Sequence, residues 1–189
     1  MLNLPSEYVL LDTEYTAWEG SQERKWTGPN EYREIVQIGA IKVDNAKLVE
    51  TDHFVRYVRP RRNPILSEYF VQLTGVIQQT VDQHGIDFAV ALVEFREWCG
   101  ELPVYSFGRD GVVVLENCAL CDIDCPFPPA RFNNIRDFFN ANGCSTQGYF
   151  PSTIVEAFGV APVRTGHDAL NDVRTILDGL VLLDKRLTA

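Results

Sequence analysis

The order in which apolar runs and helix patterns follow one another is the strongest constraint on this chain. Residues 7–12 read as a short strand, Tyr8-Val9-Leu10-Leu11, ending in a carboxylate. A polar, aromatic loop over 15–33 follows, broken by Gly20, Gly28 and Pro29. Residues 34–43 form a second strand rich in Ile and Val, and Asp44-Asn45 turns the chain into a third over 48–58. That short connection predicts an antiparallel meander. Helical spacing then takes over at 67–73, 76–83 and 87–99, where Phe88, Leu92, Phe95 and Cys99 recur on one face. A fourth strand at 103–107 precedes a helix at 110–121, and a fifth at 132–135 precedes one at 136–140. Further helices are expected at 152–158 and 168–185, the last with Leu170, Val173, Ile176, Leu177, Leu180 and Leu183 along its apolar face. Strands first, then strands alternating with helices, predict an α/β architecture: one five-stranded mixed sheet with helices on its faces.

No repeat, low-complexity tract or long linker divides the 189 residues, so residues 1–189 are expected to form one domain. The 46% of hydrophobic residues is enough for a real core and excludes a wholly disordered chain. No apolar run reaches the roughly 18 to 20 residues of a membrane span. Met1 to Ser6 also lack the basic start and apolar centre of a secretory signal. The expectation is a soluble cytoplasmic protein with no membrane partner. Twenty-six acids against 17 Lys and Arg give a net charge of −9. Such a field does not attract polyanions, so any dealings with nucleic acid must come from a local site.

The five cysteines, an odd number, argue against a disulfide framework. Cys118, Cys121 and Cys125, with Cys144, have the donors for a zinc site, but not its paired spacing. Burial on an apolar helix face beside Val114 and Leu115 is the stronger reading. Arg56, Arg59, Arg61 and Arg62 form the basic run. They suit either a phosphate track or a sheet edge protected by charge.

The acids carry the chemical signal. Asp12 and Glu14, two apart on a strand, face the same side; a solvated strand end would carry the same pair. Asp110 follows the fourth strand through Ser106-Phe107-Gly108-Arg109 and stands at a helix start, where a carboxylate also serves as a cap. His167 and Asp172 are five residues apart, about 140° around a helix. They converge only if His167 lies in the loop before the first turn, a bend that Gly166 eases. Capping suits Asp168, which leaves Asp172, beside apolar Val173, without a simple structural task; a metal is one possible partner. His53 and His84 read as surface or structural residues.

Taken in order, these residues resemble the DEDDh 3′–5′ exonucleases of the DnaQ-like superfamily: Leu11-Asp12-Thr13-Glu14, then Asp110, then His167 through Asp172 as H-x-x-x-x-D. Residues 34–40 (EIVQIGA) are similar to that family's second strand, and Leu73-Thr74-Gly75-Val76 to its L-T-G-I turn. Phe132-Asn133-Asn134-Ile135-Arg136 and Thr16-Ala17-Trp18-Glu19 resemble the branch of histone-mRNA and RNA-interference-regulating exonucleases. The resemblance implies an RNase H-like fold with helices on both faces of the sheet. It also implies two divalent cations, Mg²⁺ or Mn²⁺, held by Asp12, Glu14, Asp110 and Asp172, with His167 as general base. The substrate implied is single-stranded RNA or DNA with a free 3′ end, RNA favoured. Thr13, Tyr15, Thr74 and Phe107 are the expected substrate contacts, although Phe107 suits the sheet core equally. Two other readings stay open: a non-catalytic nucleic-acid-binding or adapter module on the same fold, and a hydrolase of short oligonucleotides. No protein partner is indicated.

Overall fold

The computed structural model describes residues 2–188. Its five strands are β1 (Glu7–Tyr15), β2 (Ile35–Asp44), β3 (Val49–Tyr57), β4 (Val104–Ser106) and β5 (Phe132–Asn134), ordered β3-β2-β1-β4-β5. The β1–β2 and β2–β3 pairs are antiparallel, which gives the expected meander, and β1–β4 and β4–β5 are parallel. The helices are α1 (Glu68–Thr74), α2 (Gln78–His84), α3 (Phe88–Cys99), α4 (Asp110–Leu120), α5 (Ile135–Ala141) and α6 (Ala169–Thr188). Among the described residues no helix is long and apolar enough to cross a membrane.

Strand alternation explains the layers. In β1, Val9 and Leu11 enter a core with Ala91, Leu92 and Phe95 of α3 and Val113 and Val114 of α4. Tyr8 and Leu10 point the other way, into a core with Ile135 and Phe139 of α5 and Val173, Ile176, Leu180 and Leu183 of α6. Helices therefore cover both faces, and β1, with two buried sides, sits in the middle of the sheet. A third cluster, around Phe70, Val76, Val81 and Val36, packs α1 and α2 beneath the start of β2.

Two expectations needed correction, and the less favoured reading of the cysteines falls away. β1 runs on to Tyr15 instead of stopping at Asp12, because β2 backs it all the way, from Glu7 opposite Asp44 to Tyr15 opposite Ile35. Residues Pro151–Phe158 form a 3₁₀ helix, with Pro151 in its first turn, not an α-helix. A four-thiolate zinc site is excluded by the sheet itself. Cys118 lies in the α3–α4 core with Cys121 and Cys125 packed against it, whereas Cys144 lies in the α5–α6 core on the opposite face. The basic run is largely engaged within the protein: Arg56 pairs with Glu94, Arg61 with Asp87, and Arg59 donates to the carbonyl of Gly85. Arg56 lies on β3, an edge strand, as edge protection requires.

Candidate active site

The site begins where the sheet is left open. β4 pairs with β1 only from Val9 to Leu11, so from Asp12 onward the β4-facing edge of β1 has no strand beside it. An orphan N–H there needs an acceptor. Asp110, in the first turn of α4, supplies it: its Oδ1 accepts from the Thr13 amide at 3.1 Å and the Thr13 hydroxyl at 2.7 Å. The bond ties Asp110 to β1 across 97 residues of sequence.

On the other face of β1, Asp12 and Glu14 continue the side of Tyr8 and Leu10, where α6 packs. The close approach of α6 depends on Gly39, opposite Asp12 on β2. A Cβ at Gly39 would lie 2.5 Å from the backbone of Ala169 and Leu170. Gln37 completes the junction. Its Oε1 accepts from the Ala169 amide at 3.1 Å, and its Nε2 donates to Asp168 Oδ2 at 3.2 Å. Asp168 caps α6 as expected, its Oδ1 accepting from the Asn171 amide at 2.9 Å.

His167 precedes the helix and turns the chain itself, at φ +61°. The bend was expected to fall on Gly166. That residue serves a different purpose: a Cβ there would come within 2.6 Å of the Ser152 side chain. The turn aims the His167 amide at Asp172 Oδ2, 3.3 Å away. Donor atoms of Glu14, His167 and Asp172 all lie within 4.8 Å of one another.

Asp12, Glu14, Asp110, His167 and Asp172 line one cavity of about 230 Å³. All four carboxylates are buried and His167 is half-buried. Burial, then repulsion from Asp110, Glu14 and Asp172, lifts Asp12 well above the ordinary carboxylate range. Burial and the neighbouring acids raise Glu14 to about 8 and Asp172 to about 7. Asp110 is also raised by burial, against the pull of the Thr13 bonds. Desolvation lowers His167, so its imidazole is neutral near pH 7. Asp172 Oδ1 is buried with no hydrogen-bond partner. Crowded acids and an orphan buried oxygen fit a hard divalent cation, which supplies the missing positive charge and takes oxygen ligands.

Thr13, Tyr15 and Phe107 line the cavity, and Thr74 does not. The Thr74 hydroxyl is used locally: it donates to the Phe70 carbonyl and accepts from the Val76 amide as α1 ends. Leu73 and Tyr69 of α1 line the cavity instead. Phe107 does both things expected of it, lining the cavity while its ring packs edge-on against Phe139, centroids 6.2 Å apart. Sequence reasoning missed Arg109, Ser152, and the loop residues Ser21, Gln22 and Trp26 as cavity walls. Arg109, next to Asp110, was the one that adjacency could have flagged.

The fold is the RNase H-like fold of solved exonucleases. The nuclease domain of 3′hExo, a DEDDh family member whose structure holds rAMP, superimposes with a TM-score of 0.81 at 23% identity, covering 98% of this chain and 95% of that one. This chain belongs to the exonuclease (RNase_T) family, which matches residues 9–180. Among curated relatives, the 3′–5′ exonuclease Snipper of Drosophila melanogaster is 36% identical over 96 residues, or 50% of this chain and 32% of Snipper. ERI1 exoribonuclease 2 of Xenopus laevis is 30% identical over 94 residues, or 50% of this chain and 12% of that protein. The chain thus spans a minor part of the length of these relatives.

Proposed function

We propose that this chain is a metal-dependent 3′–5′ exonuclease that removes nucleotides from the 3′ end of single-stranded nucleic acid, with RNA preferred to DNA. The observation that carries the reading is the meeting of Asp12, Glu14, Asp110, His167 and Asp172, from three distant parts of the chain, around one cavity. Family membership supports the reaction class. The preference for RNA is supported by the likeness to a protein named an exoribonuclease.

In this reading Asp12, Glu14, Asp110 and Asp172 would hold two divalent cations, Mg²⁺ or Mn²⁺, which would supply positive charge against the phosphate and lower the pKa of water. His167, kept neutral by burial, takes the proton from the attacking water. Its left-handed φ and the bond from its backbone amide to Asp172 fix the backbone from which the side chain lines the cavity. Thr13 positions Asp110 through two hydrogen bonds. Tyr69, Leu73 and Phe107 provide apolar and aromatic surface for the terminal nucleoside, which needs no base-specific contact.

The test is incubation of the pure protein with Mg²⁺ or Mn²⁺ and 5′-labelled RNA and DNA oligomers. The expected result is a ladder shortening from the 3′ end, faster on RNA. Tight binding without cleavage would leave only the adapter reading. Cleavage confined to the shortest oligomers, as the acidic surface would favour, would make it an oligonucleotide hydrolase.

A further inference from the structure

A second cleft, of about 410 Å³, meets the acidic cavity at Trp26, which lines both. We propose that this cleft is a strand-binding groove that holds the nucleotides on the 5′ side of the one in the acidic cavity. The proposal rests on the exonuclease reading and adds a subsite to it.

The charge in the cleft runs against that of the molecule. Its carboxylates are already engaged: Glu116 pairs with Arg33, and Glu31 with Arg24. Lys25 and Arg62 are exposed and have no ion-pair partner among the described residues. Two uncompensated cations thus face one cleft on a chain of net charge −9. Aromatic surface accompanies them. Arg62 lies over the Tyr32 ring, 5.4 Å from its centroid, and Arg33 lies 5.6 Å from that of Trp26. Cations interleaved with rings are what a single strand needs, phosphates on the first and bases on the second. The volume lies within the roughly 300 to 1,000 Å³ of ordinary ligand pockets.

The walls are held from within. The buried Glu34 carboxylate accepts from the backbone amides of Arg61, Arg62 and Asn63, each at 2.7 Å. Asn117, also buried, donates to the Arg33 carbonyl at 2.8 Å and accepts from the Ile35 amide at 2.9 Å. Lys25 and Trp26 both adopt left-handed backbone, at φ +55° and +53°. The Trp26 indole N–H secures that turn by donating to the Thr16 carbonyl at 2.9 Å. Two adjacent non-glycine residues in that region are costly unless their surroundings enforce them. The consequence is that the Trp26 side chain is held in place where the two cavities meet.

The experiment measures binding of a 5′-labelled dinucleotide and octanucleotide RNA by fluorescence anisotropy. It uses His167→Ala protein with Mg²⁺, with and without Lys25→Ala and Arg62→Ala together. The expected result is about tenfold weaker octanucleotide binding, unchanged dinucleotide binding, and a salt slope lower by about 1.4, or roughly 0.7 for each phosphate that is no longer neutralised. Restoring charge with Arg62→Lys should recover part of that slope. Octanucleotide affinity and slope left unchanged, or equal losses on both ligands, would overturn the groove. If the protein with His167 intact still cleaves oligomers in that case, the exonuclease reading survives alone. If it cleaves nothing while the charge-dependent, length-dependent binding persists, the groove survives and the exonuclease reading falls. Absence of octanucleotide binding would remove both.

Discussion

At the scale of single residues, two variants separate the roles assigned to the acids and the histidine. His167→Ala should lower turnover about 10²- to 10⁴-fold while keeping the rise in melting temperature that Mn²⁺ produces. Asp12→Ala should lose both the activity and most of that rise. Loss of the Mn²⁺ response in the histidine variant would make His167 a ligand and not a base. The acids also set a pH dependence. Glu14 near 8 and Asp172 near 7 compare with about 4 for carboxyls in an unfolded chain. Between about pH 4 and pH 8 the folded form therefore holds the extra protons, and cation-free protein should lose stability as pH rises through that window. Melting curves in chelator around pH 5 and around pH 8 check this; the expected order is lower at pH 8, with Mg²⁺ restoring more there than at pH 5. Each of these four residues, and Asp110 with them, could be found in the sequence because its side chain is chemically distinctive and its neighbours mark a strand end or helix start. Gln37 and Gly39 stood out only as part of the strand segment 34–40, with no task of their own. Their importance lies in what they touch, Ala169 and Asp168, about 130 residues further on.

At the scale of elements, the seat of α6 on β2 governs the site, because α6 carries Asp172 and follows directly from His167. Gly39→Ala places a methyl where the backbone of Ala169 and Leu170 already lies, so helix or strand must shift. Overpacking of this kind typically costs about 1–3 kcal/mol. The expected outcome is a lower melting temperature and an activity loss larger than the loss of folded protein explains, measured on samples held well below the transition. An unchanged melting temperature would mean that α6 adapts freely and does not fix the site. Element types were largely legible, since period-2 and period-3.6 patterns are local properties. The end of β1 was not, because Asp12, Thr13 and Glu14 are three polar residues in a row before Tyr15, with no apolar alternation, and are strand by virtue of β2 alongside. The conformation of residues 151–158 was missed for a related reason. An apolar face shows that a helix is present but does not tell a 3₁₀ turn from an α turn over so short a span.

At the scale of the whole molecule, the two large cores share β1. Tyr8 and Leu10 belong to one and Val9 and Leu11 to the other, so neither can melt while the other keeps an intact central strand. Unfolding in chelator should therefore be one transition, with far- and near-ultraviolet circular dichroism superimposing. Two separated transitions would contradict a single cooperative domain. The same central strand shows how activity and robustness compete in this architecture. An extended β4 would zip up the ladder and offer the Thr13 amide a carbonyl, and Asp110 would be evicted from its berth. A protein engineer who completed the sheet would gain a sturdier scaffold and an inert one, because the chemistry occupies the gap where the sheet was left unfinished.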